Sequence, residues 1–314
     1  MPKSRIEWTD RVWNPITGCT PISPGCDNCY AERMSRRFAE TWGLPADNPF
    51  KVTLHPERLE QPLNWKKACK IFVCSMSDLF HDDIPDDFIM QVFSTMAHAQ
   101  WYHGHIFIIL TKRPERMKRI IETIKTDIEK QQIPIRNENG TTTRRLTFAF
   151  PLQNIWLGVT AENQEQAEKR IPILLQTPAV KRLVSVEPML SKVQLHPWWL
   201  PYHSNHYLHY SAHLHRGLDW VICGGESGPG ARPMHPDWAR SLQDQCQAAG
   251  VSFFFKQWGE FCAISQMTDD AYRAWDCYHG TEHCWDMDNP IWKVGKKKAG
   301  CLLDGQEWKQ FPGR

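Results

Sequence analysis

The chain has 314 residues, of which 41% are apolar and 23% are charged, a balance that excludes a disordered or fibrous protein. The formal net charge of +2 is too small to indicate nucleic-acid binding by itself. The longest apolar run, Ile106 to Leu110, is too short to cross a bilayer, and the charged N-terminus does not resemble an export signal. We therefore expect a cytoplasmic protein with no membrane partner, whose eleven cysteines stay reduced unless they bind a metal.

Short apolar runs alternate with amphipathic stretches from Trp13 to Trp258, and this alternation predicts parallel β/α units. After a first strand near Trp13, predicted strands cover residues 71–74, 105–110, 155–160, 182–186, 220–223 and 251–255. Predicted helices begin at Pro85, Pro114, Asn163 and Pro236, where proline or a capping side chain favours helix initiation. Six or seven such units predict an α/β fold, a partial (β/α)6-7 barrel with its ligand site at the carboxyl ends of the strands.

Two insertions and a C-terminal tail interrupt the alternation. Residues 127–147 are polar and are expected to form a loop or a hairpin, and residues 195–216, rich in His, Trp and Tyr, are expected to form a surface insertion. After residue 260 the alternation stops, so we predict a barrel over residues 1–260 and a small irregular appendage over residues 261–314. The appendage contains a weaker candidate metal group, formed by Cys277, His279, His283 and Cys284.

Residues 13–30 carry three cysteines in the spacing C-x6-C-x2-C, on a segment rich in proline and glycine. Such a segment can fold back and bring together the sulfurs of Cys19, Cys26 and Cys29. A helix predicted from Tyr30 to Thr41 would direct its N-terminal dipole at them. Three local ligands are one fewer than a closed zinc site needs, so the set is typical of a cubane iron–sulfur cluster with one open iron. A zinc site completed by a distant ligand is the alternative.

Further short blocks follow the cysteine segment along nearly the whole chain. They are 75–81 (SMSDLFH), 110–117 (LTKRPERM), 157–160 (LGVT), 185–190 (SVEPML), 224–228 (GGESG), 256–259 (KQWG) and 296–300 (KKKAG). Together with the cysteine segment they resemble a family of bacteriophage-borne three-cysteine proteins of uncharacterised function, which are regarded as distant relatives of radical S-adenosylmethionine (SAM) enzymes. The resemblance implies a barrel of the radical SAM type, a 4Fe-4S cluster and SAM as cofactors, although radical SAM enzymes have a shorter first gap, C-x3-C-x2-C.

The resemblance also implies that polar residues at successive strand ends bind SAM. These candidates are Ser75, Ser77, Asp78, Thr111, Thr160, Glu162, Glu187, Gly224, Gly225 and Glu226. Lys112 and Arg113, which follow the third strand, are expected to bind a phosphate of the substrate, with the carboxylate of SAM as the competing partner. For each of these blocks the structural alternative is a strand terminator, a turn or a helix cap.

The implied reaction is reductive cleavage of SAM to a 5′-deoxyadenosyl radical, which acts on a nucleotide, a nucleic acid or another phosphate-bearing substrate. A reductant such as a flavodoxin or a ferredoxin would supply the electron. Basic stretches at residues 112–119 and 293–298 favour a nucleic-acid partner. The competing interpretation is a non-catalytic, nucleic-acid-binding protein that is stabilised by zinc or by an iron–sulfur cluster.

Overall fold

A computed structural model of the chain describes residues 4, 6–130, 133–136, 142–146, 150–201, 217–267, 272–273, 282–284 and 290–313. Of the predicted insertion at residues 195–216, residues 202–216 lie outside the described residues, as do Cys277 and His279 of the weaker candidate metal group. Within the described ranges, no helix is both long enough and apolar enough to span a membrane.

The central element is a seven-stranded parallel sheet that curls into a partial barrel. Its strands follow one another in chain order: β1 (Arg11–Trp13), β2 (Lys70–Val73), β3 (Ile106–Thr111), β4 (Ile155–Thr160), β5 (Lys181–Val186), β6 (Trp220–Gly224) and β7 (Ser252–Gln257). Each neighbouring pair is parallel. All seven carboxyl ends therefore lie along one rim, and the predicted α/β partial barrel is confirmed.

Helices join the strands, and their starts agree with the capping signals in the sequence. They are α1 (Tyr30–Arg37), α2 (Asp86–His103), α3 (Pro114–Lys130), α4 (Gln164–Gln176), α5 (Pro236–Ala248) and a short α6 (Lys296–Ala299). At the start of α4, the Asn163 side chain accepts a hydrogen bond of 2.9 Å from the backbone N–H of Gln166. Helix α1 ends at Arg37, short of the predicted Thr41, and Phe38 stacks on Trp42 in the turn that follows.

The two faces of the sheet bury different sets of side chains, because successive residues of a strand point to opposite faces. One face packs against α2 to α5 in the main core, where Val92 of α2 and Leu242 of α5 are fully buried. The opposite face, here called the inner face, holds a second apolar cluster. Its buried members are Trp8, Ile108, Trp156, Leu183, Trp220, Ile222 and Phe254.

The insertion at 127–147 forms the predicted hairpin, whereas the C-terminal segment is more regular than the sequence indicates. The predicted insertion at 127–147 begins with the last turn of α3 and continues as an antiparallel hairpin of Ile133–Arg136 and Thr142–Leu146. In the C-terminal segment, Phe261–Ala263, Pro290–Lys293 and Glu282–Cys284 form an antiparallel sheet, and Leu302–Leu303 pairs with Gln306–Glu307. The chain end then lies against β7, where the Phe255 N–H donates to the Trp308 carbonyl at 2.8 Å. The appendage is therefore not irregular where it is described, because backbone pairing with β7 and within its own sheet orders it.

Candidate functional site

The cysteine loop (residues 18–29) lies across the carboxyl ends of the strands. Just after β2, the Met76 carbonyl accepts a hydrogen bond of 2.9 Å from the Gly18 N–H. Beyond β4, a carboxylate oxygen of Glu162 accepts one of 3.1 Å from the Gly25 N–H. Beyond β6, Glu226 accepts one of 3.0 Å from the side chain of Asn28. Three separate strand ends thus hold the loop over the rim where the sequence predicts the ligand site.

The three cysteines of this loop are free and half-buried. Cys29 is the residue that precedes the first turn of α1, so the loop ends at a helix N-terminus as predicted. The Cys19 thiol lies 3.6 Å from the Thr20 carbonyl, and the Cys26 thiol lies 3.9 Å from the Ser23 hydroxyl. In the part of the chain that the structure describes, no group of three or more His, Cys, Asp or Glu side chains is arranged to hold a metal ion.

The chemistry of the donor set nevertheless fits a thiolate-bound centre. All three thiols are outside any disulfide, and a guanidinium N–H of Arg113 donates to the Cys19 sulfur at 3.6 Å. Burial and the nearby Asp78 carboxylate raise the pKa of Cys19 to about 11, while Arg113 acts in the opposite direction. Cys19 is therefore protonated at neutral pH unless a bound cation displaces the proton, which is the usual coupling between thiolate ligands and metals.

Asp78, a predicted SAM ligand, is buried and already accepts four hydrogen bonds. The donors are the Thr111 hydroxyl at 2.7 Å, the N–H groups of Phe80 and Lys112 at 3.0 Å, and the Arg113 guanidinium at 3.3 Å. These bonds occupy both carboxylate oxygens and join the end of β2 to the end of β3. The geometry therefore supports the structural alternative for Asp78 and Thr111, in which they hold two strand ends together.

Arg113, a predicted phosphate ligand, is directed at the cysteine loop. It is only 7% exposed, and besides Asp78 and Cys19 it contacts the Thr20 carbonyl at 3.1 Å and the Thr20 hydroxyl at 3.2 Å. Its carboxylate partner at 3.3 Å is the buried Asp78. Arg113 thus fastens the first part of the cysteine loop, and its contact with a substrate stays a prediction.

The basic stretch at residues 112–119 is partly paired with carboxylates of the protein itself. Arg116 and Arg119 each donate to Asp86 at 2.6 Å. Hydrogen bonds from these two arginines lower the pKa of Asp86 to about 2, so the carboxylate is charged at neutral pH. By contrast, the Lys112 ammonium forms no hydrogen bond or ion pair with any described residue. Of the five basic residues in this stretch, three are thus paired with a carboxylate, while Lys118 donates to the neutral side chain of Gln176 at 2.9 Å.

Glu162 is completely buried and ion-paired with Arg170 of α4, at 2.9 Å. Burial raises the pKa of Glu162, but a hydrogen bond from Ser23 and the charges of Arg170 and Lys112 outweigh it, and the net pKa lies below the ordinary value. The charged carboxylate can therefore anchor Gly25 of the cysteine loop. Sequence reasoning missed Arg170, although an arginine within the apolar stripe of a helix is a usable signal for a buried partner.

Glu226 of the GGE triplet is held by Arg232, another residue that the sequence did not single out. The backbone N–H of Arg232 and two guanidinium nitrogens donate to Glu226 at 2.7 to 2.9 Å. Arg232 also donates to the Pro24 carbonyl at 2.8 Å and to Asp27 at 3.0 Å, both in the cysteine loop. Burial raises the pKa of Glu226, but the hydrogen bonds from Arg232 and Asn28 lower it by more. The net pKa of Glu226 therefore lies below its ordinary value. Protein donors thus occupy the carboxylate predicted to bind SAM.

The two glycines of the GGE triplet make room for protein atoms. A Cβ atom on Gly225 would lie 1.9 Å from the Trp258 carbonyl oxygen, and one on Gly224 would lie 2.7 Å from a carboxylate oxygen of Glu187. Glu187 itself pairs with Lys256 at 2.9 Å. Both glycines are therefore needed so that other atoms of the protein can pack against the backbone. This supports the structural interpretation of the triplet, in which the glycines do not serve the close approach of a ligand.

The remaining predicted residues differ in whether their polar groups already have hydrogen-bond partners within the protein. The Ser75 hydroxyl donates to the Asn14 side chain at 3.3 Å, and the Thr160 carbonyl accepts from Arg170 at 2.7 Å. The hydroxyl of Ser77 is buried and has no nitrogen or oxygen partner among the residues described. The Ser77 hydroxyl also interacts with the buried Cys74 thiol, so among these residues it is Lys112 whose charged group is available to a ligand at this rim.

Comparison with known proteins assigns the chain to a protein family. No curated protein and no solved structure gives a significant match to the chain. A family model described as "Protein of unknown function (DUF5131)" matches residues 3–312. This match includes the barrel, the cysteine loop and the C-terminal segment, so the chain belongs to the DUF5131 family.

Proposed function

We propose that the chain is a radical SAM-type enzyme that binds a 4Fe-4S cluster through Cys19, Cys26 and Cys29. One observation carries this proposal: three free cysteines lie on a loop that is fastened across the carboxyl rim of a parallel partial barrel. Active sites of such barrels lie at that rim. A distant relationship to radical SAM enzymes, a phage origin and a cytoplasmic setting with a flavodoxin or ferredoxin as reductant belong to the same proposal.

The protein's own part in the reaction is to hold the cysteine loop rigidly. Glu162, Glu226 and Arg232 fix its middle and its end, and Arg113 fixes its beginning. When bound, the reduced cluster supplies the electron for reductive cleavage of SAM. The N–H of Arg113 that faces the Cys19 sulfur stabilises negative charge on that ligand, and hydrogen bonds of this kind raise the reduction potential of a cluster.

Lys112 is assigned to SAM or to the substrate, because it offers at the rim an ammonium that no described residue pairs. Asp78, Glu162 and Glu226 are instead assigned to positioning, because their oxygens already accept hydrogen bonds from the protein. We place the chemistry in the barrel, residues 1–260, with residues 261–314 as a separate unit packed against β7.

Anaerobic reconstitution followed by iron and sulfide analysis tests the proposal. We expect about four irons per wild-type chain, and loss of most of the iron when Cys19, Cys26 or Cys29 is changed singly to Ala. Cys69→Ala is the matched control, because Cys69 is also free and half-buried but lies outside the loop. Stoichiometric zinc without iron, or an equal loss of iron in the Cys69→Ala variant, would refute the assignment and favour a metal-stabilised binding protein.

A further inference from the structure

The inner face of the barrel is apolar at its floor, the part away from the carboxyl ends of the strands, and polar near the rim where those ends lie. Its floor is apolar and includes Leu183 of β5 and Phe254 of β7. Because side chains alternate along a strand, Ser185 and Glu187 continue the inner face beyond Leu183, and Lys256 continues it beyond Phe254. These three polar residues lie toward the carboxyl ends of their strands, the same rim as the cysteine loop.

The polar residues of the inner face form a connected and accessible group. Lys256 and Glu187 make an ion pair of 2.9 Å, and the Ser185 hydroxyl donates to the other carboxylate oxygen of Glu187 at 3.3 Å. The side chains of Lys256 and Glu187 keep 25% and 15% of their surface exposed, although they belong to the interior face of a barrel. Gly224 on the adjacent strand contributes no side chain, which leaves room for the Glu187 carboxylate. A solute can therefore reach this ion pair.

A second lysine is brought to the same place by the C-terminal segment. The carbonyl of Glu260, just beyond β7, accepts hydrogen bonds of 3.0 Å from the N–H groups of Val294 and Gly295, which precede α6. At the other end of α6, the Gly300 carbonyl accepts one of 3.1 Å from the Trp258 N–H. Both ends of this short helix are thus fastened to the turn after β7, and its first residue, Lys296, is held near Lys256.

Lys296 has no direct partner at this position. Its ammonium makes no hydrogen bond or ion pair within the described part of the chain. Loss of surrounding water and the like charge of Lys256 lower the pKa of Lys296, while the carboxylates of Glu187, Glu7 and Glu260 act in the opposite direction. The Lys296 ammonium thus lies close to that of Lys256 and has no direct partner among the described residues, so an incoming anion would stabilise both charges.

We propose that Lys256 and Lys296 together bind an oxyanion, a phosphate or a carboxylate, of the molecule that reacts at the barrel rim. Both lysines belong to the short sequence blocks 256–259 and 296–300, and neither is among the cofactor or substrate residues assigned above. The proposal rests on the proposed function for the identity of the reaction, but the anion site itself does not require a cluster. A phosphate would belong to the substrate, whereas a carboxylate is also the anionic group of SAM.

Calorimetric titration of the full-length protein without cluster, with inorganic phosphate and with SAM as separate probes, tests the site. Lys256→Gln and Lys296→Gln should each weaken binding of one probe by about tenfold or more, the loss expected for one charge-assisted hydrogen bond. Lys297→Gln, in the same short helix, is the control and should bind as the wild type does. Lys296→Gln breaks no ion pair with a described residue, so its result does not depend on any folding defect caused by Lys256→Gln.

The outcomes separate the two sources of the anion and the two proposals. Weakened phosphate binding assigns the site to a phosphate-bearing substrate, and weakened SAM binding alone assigns it to the SAM carboxylate; either result supports the site. Wild-type protein that binds neither probe, or variants that bind both probes as well as the wild type, would overturn it. A second portion of each preparation is reconstituted and its iron content is measured. A protein that loads iron but binds no anion contradicts the lysine site alone. A protein that binds phosphate but does not load iron contradicts the proposed function alone.

Discussion

Glu162→Gln should destabilise the protein far more than an ordinary surface change. The Glu162 carboxylate is fully buried, pairs with Arg170 at 2.9 Å and accepts the Gly25 N–H at 3.1 Å. The substitution leaves the buried Arg170 charge without its counter-charge, and the single amide oxygen of Gln cannot replace both carboxylate oxygens that accept from Arg170 and from the Gly25 N–H. Removing one member of a buried pair costs about 3–5 kcal/mol, so we expect a loss of that size in the free energy of unfolding.

Urea unfolding followed by circular dichroism measures this loss, with Glu165→Gln, in the first turn of the α4 helix that carries Arg170, as the matched control. Glu165 pairs with Lys169 at 2.6 Å, but both side chains are more than half exposed, so this pair contributes only about 0.3–0.5 kcal/mol. The net pKa of Glu162 lies below 4.5, so its stabilising effect is present above pH 4.5 and is lost as the pH falls through the lowered value. A loss below about 1 kcal/mol at neutral pH would refute the buried pair.

Two further predictions concern individual residues. Asp86 should remain ionised down to about pH 2, because two arginines of α3 donate to it. Its stabilising effect should be present above pH 3.8 and vanish as the pH falls through about 2. If nuclear magnetic resonance shows that the Asp86 carboxyl titrates near 3.8, the prediction is wrong. Gly225→Ala should lower the free energy of unfolding by about 1–3 kcal/mol, because its Cβ would lie 1.9 Å from a backbone carbonyl oxygen. Gly313→Ala, where nothing lies within 4 Å, should change it little, and equal effects of the two substitutions would count against the close packing at Gly225.

The elements of the barrel were predictable from sequence because their signals are local. The apolar run at residues 155–160 coincides with β4, and Asn163 caps α4 through Gln166 as its spacing predicts. The order and direction of the strands follow from the β/α alternation, since consecutive parallel strands usually lie side by side. The C-terminal strands escaped prediction because they are short and are stabilised mainly by pairing with one another and with β7.

The site was predictable in position but not in the roles of its residues. Polar residues do gather at the strand ends, but a sequence does not tell whether a carboxylate at such a place finds donors within the protein. Glu226 is bonded to Asn28, 198 residues earlier in the chain, and Arg232 is its main partner. Because of these long-range contacts, Glu226, which the sequence predicts to bind a ligand, instead anchors the cysteine loop.

The most direct test of the proposed chemistry is the amount of 5′-deoxyadenosine that the anaerobically reconstituted and reduced protein forms from SAM. We predict slow formation of 5′-deoxyadenosine by the wild-type protein even without a substrate, and none by the Cys26→Ala variant. Wild-type protein that carries about four irons per chain but neither binds SAM nor forms 5′-deoxyadenosine would contradict the proposal.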